Sequence, residues 1–421
     1  FYSSLTFTGE GDDLKILIPI LGIFLCILSG DNIKSRLIKN PIMTWISKRS
    51  YSIYLVHWPV LVMYFYIIQR PLIAYEKVAL IIITILTAEL LYKYIETPYR
   101  YSNKLTAAKL LLIALILASI GLALKISNGI PLRINESSKE ISTYATKYRE
   151  AIIESGQDKS GKILLIGESH STHYINLLRT YFNKFGYQVV GASGSGCSPI
   201  PGSLILNSNN NFAIEHRQNK CKRYEHKIKS LIEEYDAVVI AARWSLYTEP
   251  MSHTLEGNIA SEYYMVDKNY TSRKELSHKY SKEVLEYRGG LFMDYLTERN
   301  IPTLIMGQVP PLGIDLVDCY SRPFPSIYNC VPLFNKRFLS SRLKFSNDLF
   351  ESFDEKNSRV VFSNSFNILC GNAKIKCPVM LDGIYLYRDD DHLNMRASSY
   401  LAKAYNRDLD RFRGIIENTK Q

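Results

Sequence analysis

Four long apolar segments occupy the first part of the chain and are separated by polar stretches. They run over approximately residues 14–29, 51–68, 76–95 and 109–126. A helix needs about 20 mostly apolar residues to cross the hydrocarbon core of a membrane, with some tolerance. The segments are therefore predicted to be membrane-spanning helices, of which the first two are short. Buried core helices of a soluble protein are the alternative.

The charged residues between these segments favour the membrane interpretation. The stretch 31–50 contains Lys34, Arg36, Lys39, Lys48 and Arg49, and the stretch 96–109 is also basic, whereas the opposite ends are acidic or mixed. Basic residues mark the cytoplasmic side of membrane proteins. The first helix is then expected to run inwards and the fourth outwards. Everything after about residue 127 is predicted to lie outside the cytoplasmic membrane.

A different pattern begins at residue 161, where short apolar runs alternate with longer amphipathic ones. Strands are predicted at 162–166, 187–192, 237–242, 302–306 and 359–363. Helices are predicted at 171–185, 222–235, 282–299, 335–350 and 395–412. This alternation predicts an α/β domain with a parallel sheet between helices. The chain thus divides into a membrane part over 1–126, a polar linker over 127–160 and an α/β domain over 161–421.

The cysteines indicate the compartment of the last region. Six of the seven cysteines follow residue 190, and Cys26 lies in an apolar run. An even number in one region predicts three disulfides and an oxidising compartment. Zinc binding is the alternative, but neither C-x-x-C pairs nor nearby histidines accompany these cysteines. Pairing by neighbours predicts Cys197–Cys221, Cys319–Cys330 and Cys370–Cys377.

The formal net charge of +11 does not by itself indicate nucleic-acid binding. Basic residues cluster beside the apolar segments, and no zinc finger, RNA-binding signature or basic helix with interleaved aromatics is present. Acidic residues, rather than a basic signal-peptide region, precede the first apolar segment. Because the chain begins with Phe1, we expect a fragment or a processed product.

A candidate nucleophile follows the first predicted strand of the α/β domain. Gly167-Glu168-Ser169 comes directly after the strand 162–166. A sharp turn there would expose the Ser169 hydroxyl at the start of a helix and direct its N–H towards a reacting oxygen. An ordinary helix-capping serine is the alternative.

A candidate base lies just before the last predicted helix. An Asp and a His three residues apart can place a carboxylate against one imidazole nitrogen while the other nitrogen faces a serine. In that arrangement His392 takes the Ser169 proton and Asp389 orients the ring. Asp390 and Asp391 are expected to be solvated or to interact with the helix N-terminus. An acidic helix cap with a surface histidine is the alternative.

Two motifs in the apolar region resemble the acyltransferase family 3 membrane domain. Residues 50–60, Ser-Tyr-Ser-Ile-Tyr-Leu-Val-His-Trp-Pro-Val, resemble a signature near its end, and residues 96–100, Glu-Thr-Pro-Tyr-Arg, resemble the motif closing its last common helix. His57, Glu96 and Arg100 are therefore candidate motif residues, with an interfacial histidine beside Trp58 as the alternative for His57. The resemblance covers only the tail of the domain. It implies missing N-terminal helices that handle acetyl-CoA, the expected acyl donor; no tightly bound cofactor is expected.

The α/β domain resembles the SGNH hydrolases, a flavodoxin-like three-layer fold. Gly-Glu-Ser stands where that family usually has Gly-Asp-Ser, and Asp389 to Leu393 resembles its final block. The resemblance implies an oxyanion site near Ser169, for which Gly194 and Arg243 are candidates. Arg243-Trp244-Ser245 stands where a Gly-x-Asn-Asp block would be expected, so the usual asparagine is missing, but the segment resembles the Ala-Arg-Trp sequence of SGNH domains fused to acyltransferase family 3 proteins. Arg243 could supply an oxyanion donor, hold a sugar hydroxyl or form a structural salt bridge.

Further residues after the strands are candidates for substrate binding or for a metal. Trp244 could stack on a sugar or pack in the core, and Gln308 follows another strand. His170 and His173 form an H-x-x-H pair beside the nucleophile, but a metal would need further ligands and none is evident. No metal is predicted.

The combined resemblance is to fused acyltransferase family 3–SGNH proteins that O-acetylate bacterial surface polysaccharides such as lipopolysaccharide O-antigen. It implies a multi-pass protein of the bacterial inner membrane with a periplasmic C-terminal domain and a glycan acceptor. We expect an O-acetyltransferase that forms an acyl-serine at Ser169. A membrane-anchored carbohydrate O-acetyl esterase and a non-catalytic glycan-binding module are the alternatives.

Overall fold

The computed structural model describes most of the chain beyond residue 39. The described ranges are 40–68, 72–100, 107–127, 161–194, 196–207, 214–250, 262–270, 276–315 and 334–420, with positions 21, 24, 319 and 332. The described residues before Arg133 form one compact unit, and those after Ile134 form another. The predicted linker 127–160 lies outside these residues except for Ser127.

Among its described residues, the first unit contains three helices that overlap three of the predicted spans, the first of them beginning ten residues earlier than predicted. They are α1 (Pro41–Ile68), α2 (Ala74–Leu91, continued by a π-helical segment Tyr92–Glu96 and a last turn Thr97–Arg100) and α3 (Ala107–Ile126). Within the described ranges, Ala74–Arg100 is long and apolar enough to cross a membrane, and the apolar stretch Leu111–Ile126 is shorter. The predicted span 14–29 lies outside the described residues except for two positions.

Polar side chains join α1 to α2 within this apolar unit. The hydroxyl of the fully buried Ser52 donates to Glu96 Oε2 at 2.6 Å. Arg49 Nη2 donates to Glu89 Oε1 at 2.9 Å. Polar groups in an apolar environment are costly unless they are paired. These two contacts therefore fix the relative register of α1 and α2.

The second unit is built on a five-stranded parallel sheet with the strand order β2-β1-β4-β6-β7. Counted within the sheet, this is the flavodoxin-like order 2-1-3-4-5. The predicted α/β domain is therefore confirmed, and each sheet strand lies within one residue of its predicted bounds. The strands are β1 (Gly161–Gly167), β2 (Tyr187–Ser193), β4 (Ala237–Ala241), β6 (Thr303–Met306) and β7 (Val360–Ser363).

Helices cover both faces of this sheet. Ile163 and Leu165 of β1 belong to one buried cluster, whereas Leu164 and Ile166 belong to another on the opposite face. The continuous apolar sequence of such a strand is typical of parallel sheets buried on both sides. The helices are α4 (Ser169–Thr172), α5 (Ile175–Phe182), α6 (Ile214–Ile232), α7 (Trp244–Thr248), α8 (His278–Glu298), α9 (Lys336–Lys356), α10 (Ser365–Cys370), α11 (Met395–Leu401) and α12 (Asn406–Thr419).

Several elements differ from the sequence prediction. Two antiparallel pairs were not predicted, namely β3 (Ser203–Asn207) with β5 (Tyr263–Asp267), and β8 (Met380–Leu381) with β9 (Ile384–Tyr385). The predicted helix 171–185 is divided into α4, α5 and a 3-10 turn, and the predicted helix 395–412 into α11 and the start of α12.

Two of the three predicted disulfides are present among the described residues. Cys197 is bonded to Cys221, and Cys370 to Cys377. Cys319 is also disulfide-bonded, while its predicted partner Cys330 lies outside the described part of the chain. The first bridge joins the loop after β2 to α6, which carries Tyr224 beneath the end of β1. The bridge therefore helps to hold the strand end where Ser169 is located.

Replacing both Cys197 and Cys221 by serine should destabilise the α/β unit. The bridge closes a loop of sequence separation 24, for which the chain-entropy effect is about 3 kcal/mol. Cys370 and Cys377 are only 7 residues apart, so their removal should cost about 2 kcal/mol and serves as the matched control. Urea midpoints from pulse proteolysis of the full chain would measure both effects. Equal or absent shifts would contradict the expected order.

Candidate active site

The candidate nucleophile lies on a sharp turn between β1 and α4. Ser169 is the first residue of α4 and follows the strand after a single residue, Glu168. A Cβ atom on Gly167 would lie 2.0 Å from the carbonyl oxygen of Ala241 and 2.4 Å from Ser171 Cβ. Only glycine fits this close approach. The glycine thus allows the turn that brings Ser169 to the carboxyl edge of the sheet.

The three residues of the predicted triad are in contact. His392 Nε2 lies 3.1 Å from Ser169 Oγ, and His392 Nδ1 lies 3.1 Å from Asp389 Oδ1. Asp389 Oδ1 also accepts the N–H groups of Asp391 at 3.0 Å and of His392 at 2.7 Å. Asp389 therefore fixes both the loop and the ring. This arrangement has the donor and acceptor order of a serine–histidine–aspartate site.

Asp391 is not solvated, contrary to the expectation from sequence. It is 2 % exposed, and its Oδ1 lies 2.7 Å from His392 Nδ1. Its Oδ2 lies 2.7 Å from Arg243 Nη1 and 3.5 Å from His170 Nε2. The loop folds back through a bridge between Tyr387 and Leu393, which turns this side chain inwards. His392 therefore faces two carboxylates rather than one.

The acidic loop contains carboxyl groups with very different affinities for protons. Burial opposes the ionisation of Asp391, but His170, His392 and Arg243 hold its pKa well below the usual range. Burial and the charge of Asp391 raise the pKa of Asp390 to about 6. Asp390 is half-buried and is also not freely solvated. Asp391 is thus the firmly charged member of the pair.

The contacts of Glu168 show what a glutamate does at the position where the Gly-Asp-Ser pattern has an aspartate. This residue is 5 % exposed, and its Oε2 accepts the Ser169 Oγ–H at 2.7 Å. Its Oε1 accepts the backbone N–H of Arg243 at 2.6 Å. The two oxygens therefore join the nucleophile to the chain that follows β4. Hydrogen bonds to a charged acceptor are stronger than neutral ones, so this contact stabilises the turn.

The protonation state of His392 follows from its neighbours. Burial lowers the pKa of His392, but the hydrogen bonds and charges of Asp389 and Asp391 prevail and raise it to about 9. At neutral pH the imidazolium then donates from Nε2 to Ser169 Oγ, while the hydroxyl donates to Glu168. A general base must lose this proton before it can accept another.

The activity of this site should therefore rise with pH. A histidine pKa raised to about 9 means that the neutral, base-competent ring is scarce at pH 7 and predominates only above that value. We expect kcat/KM for hydrolysis of p-nitrophenyl acetate to increase about tenfold per pH unit up to a midpoint near 9. A midpoint near 6.5, the ordinary histidine value, would contradict this assignment.

Replacing Glu168 by glutamine should reduce the turnover of the site. The amide oxygen can accept a bond from one of the two donors, so either Ser169 or the Arg243 N–H loses its partner. An unsatisfied buried donor costs about 1–3 kcal/mol, which corresponds to a fall in kcat of roughly tenfold or more. Steady-state kinetics would test this. Glu225→Gln, at a surface pair with Lys229 on α6, is the matched control and should retain full kcat.

Gly194 does not supply the oxyanion donor expected from sequence. Its N–H donates to the carbonyl oxygen of Gly167 at 2.8 Å. A Cβ atom on Gly194 would lie 2.7 Å from three ring carbons of Tyr224. The glycine is therefore needed for ring packing beneath the turn. The Ser169 N–H has no hydrogen-bond partner among the described residues and stays the candidate donor.

Trp244 and Gln308 do not form a sugar-binding surface. Trp244 is fully buried, its Nε1–H donates to the Met306 carbonyl oxygen at 3.0 Å, and its ring packs against Phe350. Gln308 is 1 % exposed, and its Oε1 accepts the Ser245 N–H at 2.7 Å. The chain after β4 turns into the core at α7, so both side chains fasten α7 to the neighbouring strand. The expectation of substrate contact is wrong for this structure.

Two further histidines lie against the site. His170 and His173 are both 1 % exposed, and the ring of His170 lies 4.4 Å from that of His392. Burial lowers the pKa of His173 well below the ordinary value, so this ring is neutral. The sequence pattern alone missed these contacts because they depend on the fold that joins α4 to the loop before α11.

Two groups of side chains among the described residues have a composition compatible with metal binding. Ligand atoms of His170, Asp391 and His392 lie within 4.8 Å of one another, and so do those of Asp389, Asp390 and Asp391. His173, the other member of the H-x-x-H pair, belongs to neither group. The Arg243 guanidinium, however, lies 2.7 Å from Asp391 Oδ2. A cation beside that oxygen would have to displace Arg243 or be repelled by it. The contacts fit an ion pair better than a metal centre.

The candidate motif residues of the first unit make contacts within and between its helices. Glu96 accepts a bond from Ser52 and one from Arg100 Nη1 at 2.9 Å. His57 Nδ1 lies 2.6 Å from the carbonyl oxygen of Tyr54. These contacts give Glu96 a role in holding α1 against α2. A role in acyl transfer stays a prediction for all three motif residues.

Comparison with known proteins identifies the family of the second unit. Residues 138–407 match the model of the SGNH domain that is fused to AT3 domains. The fold is that of an SGNH-type α/β domain, and the chain belongs to this family of AT3-fused SGNH domains. The family predicted from the sequence motifs is thereby confirmed.

Individual relatives are similar over shorter stretches. A Staphylococcus aureus (strain COL) protein named "Putative O-acetyltransferase" is 36% identical over 87 residues, which are 20% of this chain and 14% of that protein. The protein of strain MSSA476 with the same description matches equally. The aligned part thus spans about one seventh of these relatives' length.

Solved structures with a similar fold include a transferase and an esterase. The periplasmic domain of the Salmonella ser. Paratyphi A lipopolysaccharide acetyltransferase has a TM-score of 0.42 at 14% identity, covering 65% of this chain and 97% of that one. The acetyl xylan esterase AlAXEase has a TM-score of 0.31 at 14% identity, covering 58% and 96%. With TM-scores below 0.5, neither likeness bears on what this chain does. The family match supports an acyl transfer or esterase enzyme as the class of activity.

Proposed function

We propose that this protein is an O-acetyltransferase that modifies a cell-surface polysaccharide through an acyl-serine on Ser169. The observation that carries the proposal is the chain of contacts from Ser169 Oγ to His392 Nε2 and from His392 Nδ1 to Asp389, at 3.1 Å each. Such a chain activates a serine hydroxyl for attack on an acyl carbon. A glycan-binding module would not need it.

In the first half of the proposed reaction, Ser169 receives the acetyl group. Neutral His392 accepts the Oγ proton while Oγ forms a bond to the acetyl carbonyl carbon of the donor. The resulting oxyanion lies near the Ser169 N–H, and Asp389 stabilises the imidazolium. His392 then returns the proton to the leaving group as its bond to the acetyl carbon breaks. The products are acetyl-Ser169 and the protonated leaving group.

In the second half, a glycan hydroxyl takes the place of the leaving group. His392 accepts the proton of that hydroxyl while its oxygen attacks the acetyl carbon of acetyl-Ser169. Collapse of the tetrahedral intermediate breaks the bond to Oγ, and His392 returns the proton to Ser169. The net reaction transfers one acetyl group and restores the resting site. Water in place of the glycan would give acetate, which is the reaction of an esterase.

Transfer is favoured over hydrolysis because of the family to which the domain belongs. Its members are fused to AT3 domains, and this chain carries motif-like sequences and helices in the corresponding first unit. We propose that the full protein is anchored in the bacterial inner membrane by several helices, with the SGNH domain in the periplasm. Acetyl-CoA would be the ultimate donor, handled by the membrane domain, and an O-antigen-like polysaccharide the acceptor.

Replacing Ser169 by alanine should abolish acetylation of the surface polysaccharide. Without Oγ no acyl-serine can form, and loss of a nucleophile lowers turnover by about 10⁴-fold or more. The test is proton NMR of O-acetyl groups on polysaccharide from cells that express the whole protein or its variant. Ser230→Ala, at an exposed position of α6, is the control and should leave acetylation unchanged.

Labelled acetyl groups would distinguish transfer from hydrolysis. Membranes containing the wild-type protein should pass label from acetyl-CoA to polysaccharide with little free acetate, and Ser169→Ala membranes should not. Release of acetate from acetylated polysaccharide, without incorporation of label, would instead identify an esterase. Full acetylation by the Ser169→Ala protein would overturn both enzymatic assignments.

A further inference from the structure

The contacts around the nucleophile form a closed ring of five residues. Ser169 Oγ contacts Glu168, whose other oxygen accepts the N–H of Arg243 at 2.6 Å. The guanidinium of Arg243 lies 2.7 Å from Asp391 Oδ2, and Asp391 Oδ1 lies 2.7 Å from His392 Nδ1. His392 Nε2 closes the ring at Ser169. Arg243 thus contacts Glu168, which binds the Ser169 hydroxyl, through its backbone N–H, and contacts Asp391, which lies against His392, through its guanidinium.

We propose that Asp391 and Arg243 are a positioning pair that, together with Asp389, sets how strongly His392 holds its proton. The effect of the pair on catalysis rests on the proposed function. Its effect on the His392 proton can be measured without an activity assay. In the described structure, no hydrogen bond or ion pair joins either side chain to Ser169 Oγ. They act through the imidazole of His392.

Burial distinguishes the two carboxylates that face His392 Nδ1. The side chain of Asp391 is 3% exposed, whereas that of Asp389 is 28% exposed. Charges attract more strongly where water is excluded, so the charge of the buried Asp391 is little screened from the ring. Asp389 also accepts two backbone N–H groups with one oxygen, and its second oxygen lies 3.2 Å from Arg388 Nε as well as 3.1 Å from His392 Nδ1. Asp391 accepts no backbone bond of this kind in the described structure.

Other charged or titratable groups around His392 come from three elements. Those on its own loop and on the turn after β1 are Arg388, Asp389, Asp390, Asp391, Glu168, His170 and His173. The chain after β4 contributes Arg243. Neutral His173 adds no charge. Among these groups, Asp391 is the buried anion in contact with the ring, and Arg243 is the cation that offsets it.

Replacing the two members of the pair should shift the pKa of His392 in opposite directions. Asp391→Asn removes an anion beside the imidazolium and should lower the pKa of His392 by about one unit or more. Arg243→Met removes the cation that offsets Asp391 and should raise the same pKa by about half a unit. Arg243→Lys keeps the charge and should leave it near its original value. A purely structural role would not move the pKa in two directions.

Exchange of the imidazole C2 hydrogen for deuterium measures this pKa in the full chain by mass spectrometry. The tryptic peptide from Asp389 to Arg396 contains His392 as its single histidine, so its exchange is read without overlap. Arg411→Met, which breaks an ion pair with Asp354 on the other side of the domain, is the control and should not shift the exchange midpoint. The pH midpoint of kcat/KM should move together with the exchange midpoint in each variant.

The outcomes separate this inference from the proposed function. A His392 midpoint that is unchanged in both Asp391→Asn and Arg243→Met, or that moves in the same direction in both, would overturn the positioning pair. Loss of acetylation in Ser169→Ala would still support the enzyme in that case. Should Asp391→Asn fail to fold, the two Arg243 variants still test the pair. A His392 midpoint that rises in Arg243→Met but not in Arg243→Lys supports it. Equal His392 midpoints in these two variants would contradict it.

Discussion

The contact of His392 with two carboxylates is the interaction on which the candidate site depends. A single carboxylate would orient the imidazole, but two of them also raise its pKa to about 9. The ring is then an imidazolium at neutral pH, and its Nε2 can only donate. The Ser169 hydroxyl must therefore donate elsewhere, and Glu168 is the acceptor within reach. The positive charge on His392 therefore requires an acceptor for the Ser169 hydroxyl, and Glu168 in the turn is that acceptor.

The two positions at which the chain departs from the usual SGNH pattern contact each other. Glutamate stands in place of the usual aspartate at 168, and Arg243 lies in the segment from which the usual asparagine is missing. The longer carboxylate of Glu168 reaches the Arg243 N–H, while the Arg243 guanidinium neutralises part of the charge of Asp391. Each departure considered alone weakens the motif. Considered together, they replace one set of polar contacts around Ser169 by another.

The sequence predicted the strands of the parallel sheet well because an apolar run between polar turns is a local pattern. Five apolar runs bounded by polar turns predicted β1, β2, β4, β6 and β7 to within one residue, and two motifs predicted which side chains meet at Ser169. The pairing of β3 with β5 was not predicted, since about 60 residues separate the two strands and short apolar runs do not reveal a partner. Nor could local patterns show that Asp391, and not only Asp389, faces the base. Its direction is set by the bridge between Tyr387 and Leu393.

Wrong assignments for Gly194, Trp244 and Gln308 share one physical origin. Each follows a strand at the edge where sites form, so position along the chain favours a functional role. At that edge, however, the structure also has to support the turn that exposes Ser169. Gly194 leaves room for Tyr224 beneath the turn, while Trp244 and Gln308 fasten α7 to the sheet.

On the proposed mechanism, the hydrogen bond between Ser169 and Glu168 limits the lifetime of the acyl-serine. Once Oγ carries the acetyl group it has no proton to donate, and Glu168, a buried carboxylate, loses one of its two donors. An unsatisfied buried acceptor costs about 1–3 kcal/mol. Deacylation restores the Ser169 hydroxyl and with it the lost hydrogen bond. The glutamate therefore favours passing the acetyl group onward over storing it, which suits an intermediate that waits only for an acceptor hydroxyl.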